Sequence, residues 1–202
     1  MGPGVLVYAI RALEDATKNI IEKEKINKVE DRIKKCAIAA SVAGVGSGML
    51  PGVGSIIATT ACVAAIWSMY VLINKDLGIS IKNNVLKSLA SAFLTNIIAS
   101  AGSFILGKVA GFLLSFLPGF GTAGAIVVEG MIGYVVVFAS GVLYIKLLTK
   151  LFKAGKGLDI KEGDVKSMVD NVVEESNIKE IVKEGRKSYK EDKKSGKLKE
   201  GE

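Results

Sequence analysis

The chain contains no histidine. That removes the commonest general base, the usual triad member and the commonest metal ligand together. Only two cysteines occur, Cys36 and Cys62, both set among apolar residues. Two isolated cysteines make neither a disulfide framework nor a zinc-binding spacing, and both read as small buried hydrophobes. Aromatics are scarce at 6%, and only three prolines occur, two of them in a repeated turn. No basic segment leads into an apolar run with a cleavage site, so no secretory signal is expected. Charge is also missing over long stretches. No charged residue lies between Cys36 and Asn74, and Lys108 and Glu129 are the only charges between Ser88 and Tyr144. A soluble helix needs a wet face, so runs of this kind point to a non-aqueous environment.

What is abundant is aliphatic and small. Half of the residues are hydrophobic and 23 are glycine, the mixture that lets apolar helices approach closely. The net charge of +7 is concentrated at the two ends, where acids are mixed with lysines. Neither end is a bare polybasic stripe, and no nucleic-acid partner is expected.

The repeated turn organises the middle of the chain. Leu50-Pro51-Gly52-Val53-Gly54-Ser55 and Leu117-Pro118-Gly119-Phe120-Gly121-Thr122 share the pattern Leu-Pro-Gly-x-Gly-(Ser/Thr). Proline ends a helix, the glycines accept positive φ, and the hydroxyl residue can cap the next helix. Pro51, Gly52, Gly54, Pro118, Gly119 and Gly121 are therefore expected to form two hairpin turns. The predicted fold is all-α: two tandem Pro-Gly apolar helical hairpins, inserted in a membrane and flanked by amphipathic helices. A helix crossing the hydrocarbon needs roughly 20 apolar residues. The arm after Pro51-Gly52, about 22 residues, meets this, and the arm before it, about 15, is short.

Four segments follow. Residues 1–35 read as an amphipathic helix, with Ile10, Leu13, Ile20, Ile21, Val29 and Ile33 on one face. Residues 36–149 form the double-hairpin membrane domain. Residues 150–182 hold a second amphipathic helix carrying Val165, Met168, Val169, Val172, Val173 and Val182, with Ile178 and Ile181 at its margins. Residues 183–202, rich in Lys, Glu, Ser and Gly, are expected to be a charged flexible tail. Lys34-Lys35, the Lys75–Lys87 connection and the Lys146–Lys153 segment flank the apolar blocks, while both turns lack charge. The positive-inside rule then places both termini in the cytoplasm, at a bacterial inner membrane.

No cluster of residues resembles a catalytic set, so a non-enzymatic protein without cofactor or metal is expected. Gly102 to Lys108 superficially fits a phosphate-binding loop. Val109 stands where the magnesium-holding hydroxyl belongs, which excludes nucleotide binding there. Lys108 lies ten residues before Pro118 and Glu129 eleven after it. On antiparallel arms the two would share a depth of roughly 15 Å from the turn, and pairing would offset the cost of a charge there. Lys108 and Glu129 are predicted to form a structural ion pair. Gly44, Gly48, Gly107 and Gly111 form small-residue ridges for helix packing, within one chain or in a homo-oligomer. Trp67, Tyr70, Tyr134 and Tyr144 read as interfacial aromatics, and Asn96 as a helix–helix hydrogen-bonding residue.

Residues 36–149 carry a resemblance. Leu50-Pro51-Gly52, then Trp67-Ser68-Met69-Tyr70-Val71-Leu72 and Asp76-Leu77-Gly78-Ile79, then Pro118-Gly119-Phe120-Gly121-Thr122-Ala123-Gly124 through Gly141, resemble the YcjF-like bacterial family, domain of unknown function 697. The resemblance implies membrane association and a small GTPase acting in trans, since this chain carries no GTPase domain. It transfers no catalytic residue. The function expected is membrane anchor, scaffold or remodelling module in contact with the lipid bilayer. The alternatives are a pore-forming, toxin-like effector that inserts its hairpins, and a channel or transporter subunit.

Overall fold

The computed structural model describes residues 3–18, 20–47, 54–106, 122–155 and 157–198. Among these, every regular element is helical: α1 (Val5–Ala16), α2 (Lys23–Ser47), α3 (Gly54–Leu77), α4 (Asn83–Leu106), α5 (Thr122–Lys153), a single 3₁₀ turn (Glu162–Asp164), α6 (Val165–Glu174) and α7 (Ile178–Lys194). The all-α class is as expected from the sequence.

The helices form because their apolar residues recur at helical spacing and share one destination. Leu6, Ala9, Ile10 and Leu13 on α1 are buried, as are Ile26, Val29, Ile33, Ala37 and Ala40 on α2. That destination is α5, against which all six other helices pack. From Tyr134 to Ile145 every residue of α5 is buried. A surface helix has one apolar stripe; this one is apolar all round because it is wrapped all round.

Two expected segments are divided differently. The amphipathic helix expected over residues 1–35 is two helices, and the second runs through residues 35 and 36 without a break. Thr17 ends α1: its hydroxyl donates to the Leu13 carbonyl at 2.7 Å, and its N–H bonds the same carbonyl at 2.9 Å. Ile20, counted on the apolar face, instead falls in the connecting turn and is 68% exposed. At the other end, the helix expected over 150–182 is interrupted at residues 175–177. Asn177 caps α7 by accepting from the Glu180 N–H at 3.1 Å. The chain then stays helical to Lys194, so most of the segment expected to be a flexible tail is an ordered element. Ile178, Ile181, Val182, Gly185 and Tyr189 supply its buried face.

The connection between α3 and α4 is a tight corner. Gly78 has φ +69°; its N–H bonds Lys75 O at 3.2 Å and the Ile79 N–H bonds Asn74 O at 2.9 Å. This is a Schellman ending, in which glycine takes the left-handed position. Beside it, Arg32 of α2 makes a two-pronged contact with Asp76, Nε to Oδ2 at 2.9 Å and Nη2 to Oδ1 at 3.2 Å. The hydrogen bond from Arg32 to Asp76 holds the guanidinium above its ordinary pKa, against partial burial.

Candidate functional site

Tyr70 and Tyr144 lie at the centre of the bundle, with ring centroids 4.0 Å apart and planes 16° from parallel. Tyr144 donates to Asn74 Oδ1 at 2.6 Å, and Tyr70 donates to the Ser140 carbonyl at 3.2 Å. All four residues are buried. Asn74 Nδ2 and Ser140 Oγ have no partner. The members are all neutral, and two come from α3 and two from α5. What the cluster can do is hold those helices in one register, since a slip would strand two hydroxyls in apolar surroundings. The aromatics expected at a membrane interface are thus partly reassigned: Tyr70, Tyr134 and Tyr144 are fully buried among helices. Trp67 is half-buried, with Lys87 Nζ 5.2 Å from its ring centroid.

A second polar node fastens α7. The Tyr134 hydroxyl bonds Asp192 Oδ2 at 2.6 Å and lies 2.8 Å from Ser188 Oγ, and the Tyr189 ring meets Tyr134 edge-on at 5.5 Å. Lys197 reaches Asp192 Oδ1 at 3.5 Å. Gly185 sits where a Cβ would come within 3.1 Å of the Phe138 ring. With Gly185 against Phe138 and Asp192 bonded to Tyr134, α7 runs antiparallel to α5, and Ser176, just before α7 begins, meets Lys146 further along α5. On the other side of α7, the Glu184 carboxylate accepts from the Val5 N–H and from the Leu6 N–H, the latter at 3.2 Å. It caps α1, whose own N-cap is Gly4 with no side chain to offer.

A groove of about 440 Å³ lies between α1, α5 and α6, lined by Tyr8, Lys146, Thr149, Lys150, Glu175 and Ser176. Lys146 Nζ donates to Ser176 Oγ at 3.0 Å, and Lys150 pairs with Glu175 at 2.5 Å. Lys150 is thus paired with an acid of the groove, and Lys146 is held by a hydroxyl. Asn96, expected to bond between helices, does so: its Nδ2 donates to Asp170 of α6 at 3.3 Å. Among the described residues no group of three His, Cys, Asp or Glu side chains could hold a metal. Cys36 is a free, partly buried thiol.

The turn residues Pro51, Gly52, Pro118, Gly119 and Gly121, the ridge residues Gly48, Gly107 and Gly111, and Lys108 lie outside the described residues. Gly44, Gly54 and Glu129 lie on α2, α3 and α5, but their surroundings are also outside the description, and so is the expected Lys108–Glu129 pair. One helical stretch among the described residues, Gly130–Lys153, is long and apolar enough to cross a membrane; 83% of its most apolar window is buried inside the protein. Sequence reasoning missed the Tyr70–Asn74–Ser140–Tyr144 cluster, the Tyr134–Asp192 node and the Glu184 cap. The one available signal was the apolar i, i+3, i+4 spacing of Ile178, Ile181, Val182 and Gly185, which carries on into the lysine-rich end. No protein-family model, curated protein or solved structure matches this chain. The resemblance of residues 36–149 to the YcjF-like family rests on the motifs quoted for it.

Proposed function

We propose that this chain is a membrane anchor or scaffold whose two Pro-Gly hairpins, with Lys108 and Glu129 as the charges on their arms, enter a bilayer from one side, while the bundle around α5 forms a base outside it. The observation that carries the reading is the partition of charge. The base holds the ion pairs and its apolar helix is covered by α1, α6 and α7, whereas residues 98–128 include a single charge and residues 42–65 none. Both termini and the Gly78 corner then face the cytoplasm of a bacterial cell, as the flanking lysines predict. The reading is tested by expressing the full chain and washing the membrane fraction at alkaline pH. Retention until detergent is added is the expected result; release as a monodisperse soluble protein overturns it.

The burial of Gly130–Lys153 favours a second reading, a pore former that is soluble first. In that reading α1, α6 and α7 are a removable cover, and the arms insert when it opens. Release of a trapped dye from liposomes by purified protein separates this from a passive anchor, which leaves the dye inside.

A further inference from the structure

Resting on the anchor reading, we propose that the carboxyl-terminal end of α7, with Lys190 and Lys194 on its outer face, contacts the headgroups of an anionic lipid leaflet. The helix is sharply divided. Ile178, Ile181, Val182, Gly185 and Tyr189 face the bundle and are buried. Lys183, Lys187, Lys190 and Lys194 recur at i, i+4, i+7 and i+11 and form one exposed row. The acids Glu180, Glu184 and Glu191 lie to one flank of that row. Glu184 is engaged with α1, and Glu191 lies 3.8 Å from Lys187.

Position decides the partner. The Tyr134–Asp192 bond sets the end of α7 beside Tyr134, twelve residues after α5 begins at Thr122. The Gly78 corner is at the other end, where α3 finishes just beyond the Asn74–Tyr144 bond. The basic row therefore points along the bundle toward the end from which the uncharged sequence departs. Its composition also suits a lipid leaflet: lysine is a hydrated point charge, whereas phosphate forks on nucleic acid favour arginine. The row carries no exposed aromatic on which a base would stack, since Tyr189 is buried.

End-on contact has a graded consequence. Lys183 lies eleven residues from Lys194, about 16 Å along the helix, which is twice the ~8 Å screening length at physiological salt. Only the outer lysines should feel the leaflet. The experiment is flotation of the full chain with vesicles of phosphatidylcholine alone or with added phosphatidylglycerol. It compares wild type with Lys190→Gln/Lys194→Gln and with Lys179→Gln/Lys183→Gln, all checked for equal unfolding midpoints. Expected is an increase in binding with phosphatidylglycerol that falls about tenfold or more in the outer pair, is largely kept in the inner pair, and weakens with salt. Equal losses in both pairs, as a nucleic-acid or acidic-protein surface would give, or no dependence on phosphatidylglycerol, overturn the proposal. Binding to phosphatidylcholine alone reports arm insertion separately. Its absence beside an intact phosphatidylglycerol effect sinks the anchor reading and leaves the headgroup contact standing.

Discussion

The Tyr144 hydroxyl fixes α3 to α5 through Asn74 with no water-facing alternative. Tyr144→Phe leaves Asn74 Oδ1 buried without its donor. The expected cost is about 1–3 kcal/mol of unfolding free energy, measured by urea denaturation; a change within error would mean the amide finds another partner. The sequence marks Tyr70 and Tyr144 as aromatics near the charged ends of apolar arms, which is the pattern of an interfacial belt. Their depth could not be read there. Burial of a tyrosine depends on an acceptor, and the acceptors Asn74 and the Ser140 carbonyl sit seventy residues away in sequence. Asn96 was legible, because an amide in an apolar helix has few options besides a neighbouring helix.

At the scale of elements, α1 depends on α7. Glu184→Ala removes the carboxylate that caps the first turn, and about 1 kcal/mol of stability should be lost. Amide exchange at Val5 and Leu6 should accelerate first, with α5 amides little changed. Unaltered exchange at those two positions would show that the cap is not needed. The apolar spacing of α1, α2, α6 and α7 was visible in the sequence, but their boundaries were not. Charged residues fill the outer faces on both sides of each break, so periodicity runs on through Thr17 and Asn177. What interrupts the helices is local: a threonine hydroxyl turned onto its own backbone, and an asparagine side chain competing for a helix N–H. The lysine-rich composition of residues 183–202 points to a flexible tail or a frayed helix. The few apolar residues in it lie on one face, and that face is enough when a ready-made apolar helix is waiting.

For the whole molecule, the contact between α7 and α5 is the closure. Gly185→Val places branched carbons where a Cβ alone would lie 3.1 Å from Phe138 and 3.6 Å from the Val135 backbone. Overpacking of this kind costs about 1–3 kcal/mol. The expected result is faster amide exchange across α7, a lower unfolding midpoint and binding of a hydrophobic dye to the uncovered α5 surface. Full protection of α7 in this variant would place its anchorage elsewhere. The all-α class was legible in the long apolar runs, while the two Pro-Gly turns expected between them lie outside the described residues. The central place of α5 was not legible, since an apolar helix wrapped by protein and one wrapped by lipid have the same composition.

The Glu184 cap has a consequence in time. Of the helices described, the one synthesised first, α1, is completed by a residue of the one synthesised last, α7. At about 5–20 residues per second, the stretch from Lys153 to Lys194 takes roughly 2–8 seconds to translate. During those seconds the whole of α5 has been made and its last covering helix has not. Until α7 is made, the face of α5 at Tyr134 and Phe138 lacks the helix that covers it in the folded protein, and on the anchor reading proposed above this is the interval in which the arms would meet a membrane.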